Sequence, residues 1–278
     1  MIYCQELNCE FNNIEELFAA LKQNENKILD VKKSNIYKSL EKGQFSPIGK
    51  SFSVSDIVKA SYGFDSDYIY PVINTTRYMD AHKDVHFDGI WKKSIKDKVG
   101  KIAYVDSHEF KIRSVIAWED DVEVFTKLIP WGLVGKNYDG DTEALIFKIK
   151  KENIQPNYKS IITAKRRVQN SVSMSYVSVK MGINSKEKDY AINKQFYDEH
   201  IDKIANKEVA EEFGYFFGVF EAKIQNEGSM VLAGSNDATA IIYDGGKNKS
   251  AAESTDQTEP VNPLKRANEL LKNKKLFN

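Results

Sequence analysis

The chain has 278 residues, 41% of them hydrophobic and 29% charged, and its 40 basic side chains cancel its 40 acidic ones. That is enough chain for one sizeable core with an appendage at each end, and the cancelled charge removes the global field that would mark DNA, RNA or an anionic membrane as the main partner. No apolar run approaches the roughly 18–20 residues of a membrane span, and Met1-Ile2-Tyr3-Cys4 has neither the basic start nor the apolar stretch of a secretory signal.

The two cysteines, Cys4 and Cys9, sit together without the further Cys or His pair of a zinc site, so a reduced intracellular setting is expected. A helix is predicted from about residue 13 to residue 39. Asn12 or Asn13 can cap it, Glu15 and Glu16 fall in its first turn, and Ile14, Leu17, Phe18, Leu21, Ile28 and Leu29 lie near one face. Residues 43–67 mix Pro47, Gly49, Gly63 and several serines with scattered apolar residues, which is connector chemistry. Residues 1–68 are therefore read as a helical N-terminal extension.

From Tyr68 onward the texture becomes β-like, with short runs at 68–73, 101–105, 113–118, 122–125, 144–149 and 172–179. Turn chemistry such as Asn137-Tyr138-Asp139-Gly140 separates them. A Lys-, Glu-, Asp- and Ala-rich helical insertion is expected at about 186–213, then strands at 215–223, 229–233 and 240–243. Many short strands without regular βαβ alternation predict an α+β fold, with an antiparallel, barrel-like core flanked by helices over residues 69–243. Residues 244–278 have the composition of a flexible linker or tail. Near its end Leu264, Ala267, Leu270 and Leu271 have the spacing of a short docking helix.

The chemistry concentrates in Asn170-Ser171-Val172-Ser173-Met174-Ser175-Tyr176, a serine-studded run that alternates hydroxyl and apolar side chains. The same alternation suits the solvated side of an amphipathic strand. A serine nucleophile needs a general base, and the chain offers four histidines, His82, His86, His108 and His200. His108 stands at the end of the 101–105 strand, where a loop can present an imidazole. No Gly-x-Ser-x-Gly elbow surrounds any serine, which argues against an α/β-hydrolase.

Three blocks carry a family resemblance. Asn74-Thr75-Thr76-Arg77-Tyr78-Met79-Asp80-Ala81-His82-Lys83-Asp84-Val85-His86-Phe87-Asp88-Gly89-Ile90-Trp91 looks like an Asp-rich opening segment; Val105-Asp106-Ser107-His108 stands at the place of a catalytic histidine, with Ser173 in the nucleophile strand; and Glu221-Ala222-Lys223 through Glu227-Gly228-Ser229 to Gly234-Ser235-Asn236-Asp237-Ala238-Thr239 resembles a closing segment. Over residues 70–243 the chain resembles the tailed-phage prohead (capsid maturation) proteases, which are similar in fold and catalytic logic to herpesvirus assemblins. The resemblance implies His108 as general base, Ser173 as nucleophile and Glu227 as the acid that orients the histidine. Glu221 and His200 are the alternatives for the third member, and Ser171 and Ser175 for the nucleophile, because Ser175 stands where the family has glycine. The oxyanion donors are left unplaced.

The resemblance further implies a capsid-maturation serine endopeptidase of a bacteriophage, using no cofactor and no metal. It would act in the host cytoplasm, inside the procapsid, on scaffold or on the scaffolding arm of the major capsid protein, and trim itself. Self-association is compatible with this, no membrane is involved and nucleic acid is not required. The alternative is a catalytically silent protease-fold protein serving capsid assembly. Two features stand beside these readings. His82 and His86 flank Asp84 without an evident third metal ligand, and Lys165-Arg166-Arg167 is either a solvated helix end or a surface for acidic scaffold or nucleic acid.

Overall fold

A computed structural model describes residues 1–34 and 62–243, which lie within one compact unit, Met1–Gly246. The connector over most of 43–67, the end of the first predicted helix and the 244–278 tail lie outside the described residues.

The chain opens with a small hairpin of β1 (Ile2–Cys4) and β2 (Cys9–Phe11). The long predicted helix is two helices, α1 (Ile14–Gln23) and α2 (Glu25–Ser34). Asn13 is the cap of α1, its side chain accepting from the Glu16 N–H at 2.8 Å. The break falls at Asn24, whose amide donates to the Ala20 carbonyl at 2.9 Å and so competes with continuation of the helix. Leu17, Phe18, Leu21 and Ile28 are buried in the same core as the main sheet.

The remaining strands form two open sheets, and no closed barrel exists among the described residues. The fold is α+β. A four-stranded antiparallel sheet contains β3 (Tyr68–Thr75), β7 (Val122–Pro130), β8 (Asp141–Lys150) and β11 (Ala240–Tyr243) in the order β11-β3-β8-β7. The five-stranded sheet is organised by its longest strand, β10 (Tyr215–Val231). One edge of β10 pairs antiparallel with β9 (Gln169–Ile183). The other edge takes β4 (Asp84–His86) and β5 (Ala103–Asp106) one after the other, both parallel, and β5 pairs in turn with β6 (Val115–Ala117).

This differs from the expected barrel-like antiparallel core in two ways. The strands β3, β7, β8 and β11 pair only with one another, so the sheets stay separate. The residues expected to give two strands, 215–223 and 229–233, are one strand of 17 residues that is long enough to seat β4 and β5 in tandem. Helices α3 (Lys92–Asp97), α4 (Pro156–Thr163), α5 (Ala191–His200) and α6 (Lys207–Phe213) lie between the strands, the last two within the expected 186–213 insertion. Among the described residues no helix is long and apolar enough to cross a membrane.

Candidate active site

Strand β10 contains an irregularity that builds the site. Its register with β9 passes from Ile224 opposite Met174 to Gly228 opposite Val172, so Gln225, Asn226 and Glu227 face Ser173 alone. A bulge of this kind re-aims side chains. Three contacts stabilise it. The Ile224 N–H donates to Ser94 Oγ at 2.8 Å, Lys98 Nζ to Asn226 Oδ1 at 2.9 Å and Gln225 Nε2 to Ser175 Oγ at 3.0 Å. Gly228 then has to be glycine. A Cβ there would stand 2.6 Å from Phe147, a ring buried in the core.

His108 comes from the end of the adjoining β5. This strand runs parallel to β10, with Ala103 opposite Glu227 and Asp106 opposite Met230, and ends in a tight turn. Ser107 and His108 both adopt left-handed backbone conformations, φ 50° and 58°, which are strained for residues with a side chain. The Ser107 N–H donates to the Met230 carbonyl at 2.9 Å and the His108 N–H to Ser229 Oγ at 3.0 Å, so β10 holds the turn at two points.

His108, Ser173 and Glu227 meet there. His108 Nδ1 lies 2.7 Å from Glu227 Oε1, and Ser173 Oγ lies 3.3 Å from the same nitrogen. The second carboxylate oxygen, Oε2, accepts from Ser229 Oγ at 2.6 Å. All three groups are shielded: the His108 and Glu227 side chains are 4% and 6% exposed, and Ser173 is 4% exposed. Burial pushes the Glu227 carboxyl up, but hydrogen bonding to His108, the charge of His108 and the Ser173 and Ser229 hydroxyls outweigh it, leaving the group below its ordinary value of 4.5. A depressed folded value means that Glu227 contributes stability above its unfolded value, and that this contribution is lost as pH falls through the folded one.

Both partners use one ring nitrogen. In a hydroxyl–imidazole–carboxylate relay the hydroxyl and the carboxylate occupy opposite nitrogens, because Nδ1 cannot donate to one and accept from the other at the same moment. Proton transfer from Ser173 therefore requires the His108 ring to turn so that Nε2 faces the hydroxyl while Nδ1 keeps Glu227.

The alternatives are placed elsewhere. Ser171 stands opposite Ser229 in the ladder, and Ser175 accepts from Gln225. Glu221 makes a partly exposed ion pair with Lys93 at 3.2 Å. His200, on α5, bonds the Phe196 carbonyl at 2.9 Å and packs on Phe87, Phe196 and Phe220, and burial lowers its pKa. Ser171 and Ser173 on the hydroxyl face of β9 are buried, as are Val172 and Met174 on the other, whereas Ser175 is half-buried. Arg166 and Arg167 are exposed just past α4.

A second polar cluster lies under α2. Lys32 Nζ is 2.6 Å from Asp84 Oδ1, with side chains 6% and 0% exposed, and Tyr176 donates to Asp84 Oδ2 at 2.7 Å. His86, fully inside, bonds Tyr176 OH at 3.2 Å through Nε2 and Asn74 Oδ1 at 3.0 Å through Nδ1, and its burial lowers its pKa. Asp80 accepts from the His82 and Asp84 N–H groups through Oδ1, and burial together with the nearby Asp84 raises its pKa. Asp80, His82 and Asp84 carry donor atoms within 4.8 Å of one another, the geometry of a possible cation site. The Lys32 ammonium already supplies a positive charge at Asp84, which opposes a metal ion there.

Sequence reasoning missed two of these features. The Lys32–Asp84 pair joins residues far apart in the chain and leaves no local signal. The part played by Ser229 had one, because residues 227 and 229 share a face of a strand. Comparison with protein-family models, with curated proteins and with solved structures gave no match.

Proposed function

We propose that the chain is a serine endopeptidase of the prohead-protease type, which cleaves scaffold or the scaffolding arm of a major capsid protein within the procapsid and trims itself. The observation that carries the reading is the convergence of Ser173 and Glu227 on His108, contributed by β9, by the bulge in β10 and by the turn after β5. The three residues are singled out by resemblance, without reference to their positions in space, and their meeting supports the reading.

On this reading Ser173 Oγ attacks the scissile carbonyl carbon as His108 takes its proton. The C–N bond breaks, the departing amine takes the proton from the imidazolium, and an acyl-enzyme remains. Water, deprotonated by His108, then releases the acyl group and restores the serine. Glu227 stays ionised, orients the ring and stabilises its positive charge. The proposal extends to the fold: the sheet formed by β9, β10, β4, β5 and β6 would be the counterpart of the assemblin core.

Co-expression with a capsid protein bearing its scaffolding segment tests the reading. Shortened capsid protein should accumulate with the native chain and be absent with Ser173→Ala at equal protein levels; processing that persists with Ser173→Ala rejects the proposal.

A second reading is favoured by the shared Nδ1 and the shielded hydroxyl, which suit a protease fold retained for capsid assembly without turnover. It predicts that particle assembly needs the chain but that Ser173→Ala assembles as well as the native protein.

A further inference from the structure

The hydroxyl of Ser229 bridges two partners. Fully buried, it accepts the His108 backbone N–H at 3.0 Å and donates to Glu227 Oε2 at 2.6 Å. The first bond is made to a residue with φ 58°, in a two-residue left-handed turn that has to be held against its own strain. The second fixes the carboxylate, so that its other oxygen, Oε1, faces His108 Nδ1 at 2.7 Å.

We infer that Ser229 is a positioning residue: its single hydroxyl clamps the backbone of the base to the side chain of the acid and keeps both in register with Ser173. The catalytic consequence rests on the serine-hydrolase reading above, but the clamp itself does not. An alanine at 229 would be as compatible with a buried strand position. Only a side chain that accepts and donates at once can close the loop from the His108 N–H to Glu227. Its loss would remove one hydrogen bond that holds the His108 backbone and one that holds the Glu227 carboxylate.

Two measurements on the full chain separate the clamp from the chemistry. The first follows the side-chain carboxyl carbon of Glu227 by NMR as pH is lowered, in the native protein, in Ser229→Ala and in Ser229→Cys, whose thiol fills a similar volume but donates weakly. The Glu227 midpoint should rise in Ser229→Ala and lie between the two in Ser229→Cys, because a donor to the charged form has been removed. The second measures the rate at which an alkyl fluorophosphonate modifies Ser173. This should fall roughly tenfold or more in Ser229→Ala, the size expected for a hydrogen bond to a charged group.

Coincident Glu227 titrations in the three proteins overturn the inference, as does an unchanged labelling rate. A slower rate with an unmoved Glu227 midpoint overturns it too, since it leaves only a structural part for Ser229. If Ser229→Ala does not fold, Ser229→Cys carries the comparison. A native protein that is never labelled at Ser173 defeats the hydrolase reading instead, and the Glu227 titration still decides the clamp.

Discussion

Ser173→Ala is expected to abolish peptide-bond cleavage, and His108→Ala to lose nearly as much, each on the order of 10³–10⁶-fold in kcat. The reason is that, on the proposed reading, the three residues work together: Ser173 Oγ is 3.3 Å from His108 and the ring is 2.7 Å from Glu227, close enough for nucleophile, base and acid to act as one unit once Nε2 faces the hydroxyl. Removing any part of such a unit removes most of its effect, and the losses do not add. The Ser173→Ala, His108→Ala double variant should therefore be no slower than the poorer single variant. Glu227→Gln should cost less than either, because it keeps the shape while removing the charge that favours the imidazolium. Turnover of a capsid–scaffold junction peptide by the four proteins checks this, with circular dichroism to show that each remains folded. Additive losses would mean that the residues do not cooperate.

The second large effect is on stability. Lys32→Met is expected to destabilise the fold by about 3–5 kcal/mol, because it leaves the Asp84 carboxylate buried with no cation beside it. In a unit of this size that is a fall in Tm on the order of 10 °C. Tyr176 still donates to Asp84, but a neutral donor does not replace a charge. Pairing Lys32→Met with Asp84→Asn should recover much of the loss, since the penalty comes from the uncompensated charge rather than from a missing contact. Thermal melts of the two single variants and the double variant form the cycle. A single variant that melts with the native protein would show that Asp84 finds its compensation elsewhere.

The expected effect of Lys32 also explains which parts of the molecule could be read in advance. Local patterns were legible. The Asn13 cap, the turn at residues 137–140 and the last strand at 240–243 each depend on residues next to one another in the chain, and each stands where expected. Pairings between distant segments were not legible. Within 215–231 the extra length of Ile224-Gln225-Asn226 suggests a bulge, which is present, but not that one strand runs straight through it, held by Ser94, Lys98 and Ser175. The first helix is broken by Asn24, whose side chain competes for a carbonyl that periodicity alone assigns to the helix.

The site divides in the same way. Resemblance singled out His108, Ser173 and Glu227, and these three are brought together. Alternation along β9 suggested a solvated serine face, whereas Val172, Ser173 and Met174 are all buried, so both faces are covered around Ser173. Charge placement in the sequence pointed to His82 and His86 around Asp84. The structure instead joins Asp84 to Lys32 and Tyr176, and His86 to Tyr176 and Asn74, which is how a buried carboxylate and a buried imidazole are satisfied without leaving polar groups unpaired.

The central claim is that Ser173 is a nucleophile activated by His108. It is tested most directly by treating the native chain with an alkyl fluorophosphonate and locating the product by peptide mass spectrometry. The Oγ–P bond forms as the P–F bond breaks, fluoride leaves, and His108 accepts the proton. The account predicts one adduct, on Ser173, that is absent from Ser173→Ala and strongly reduced in His108→Ala. An adduct on Ser171 or Ser175, or labelling of Ser173 that is indifferent to His108, would contradict it.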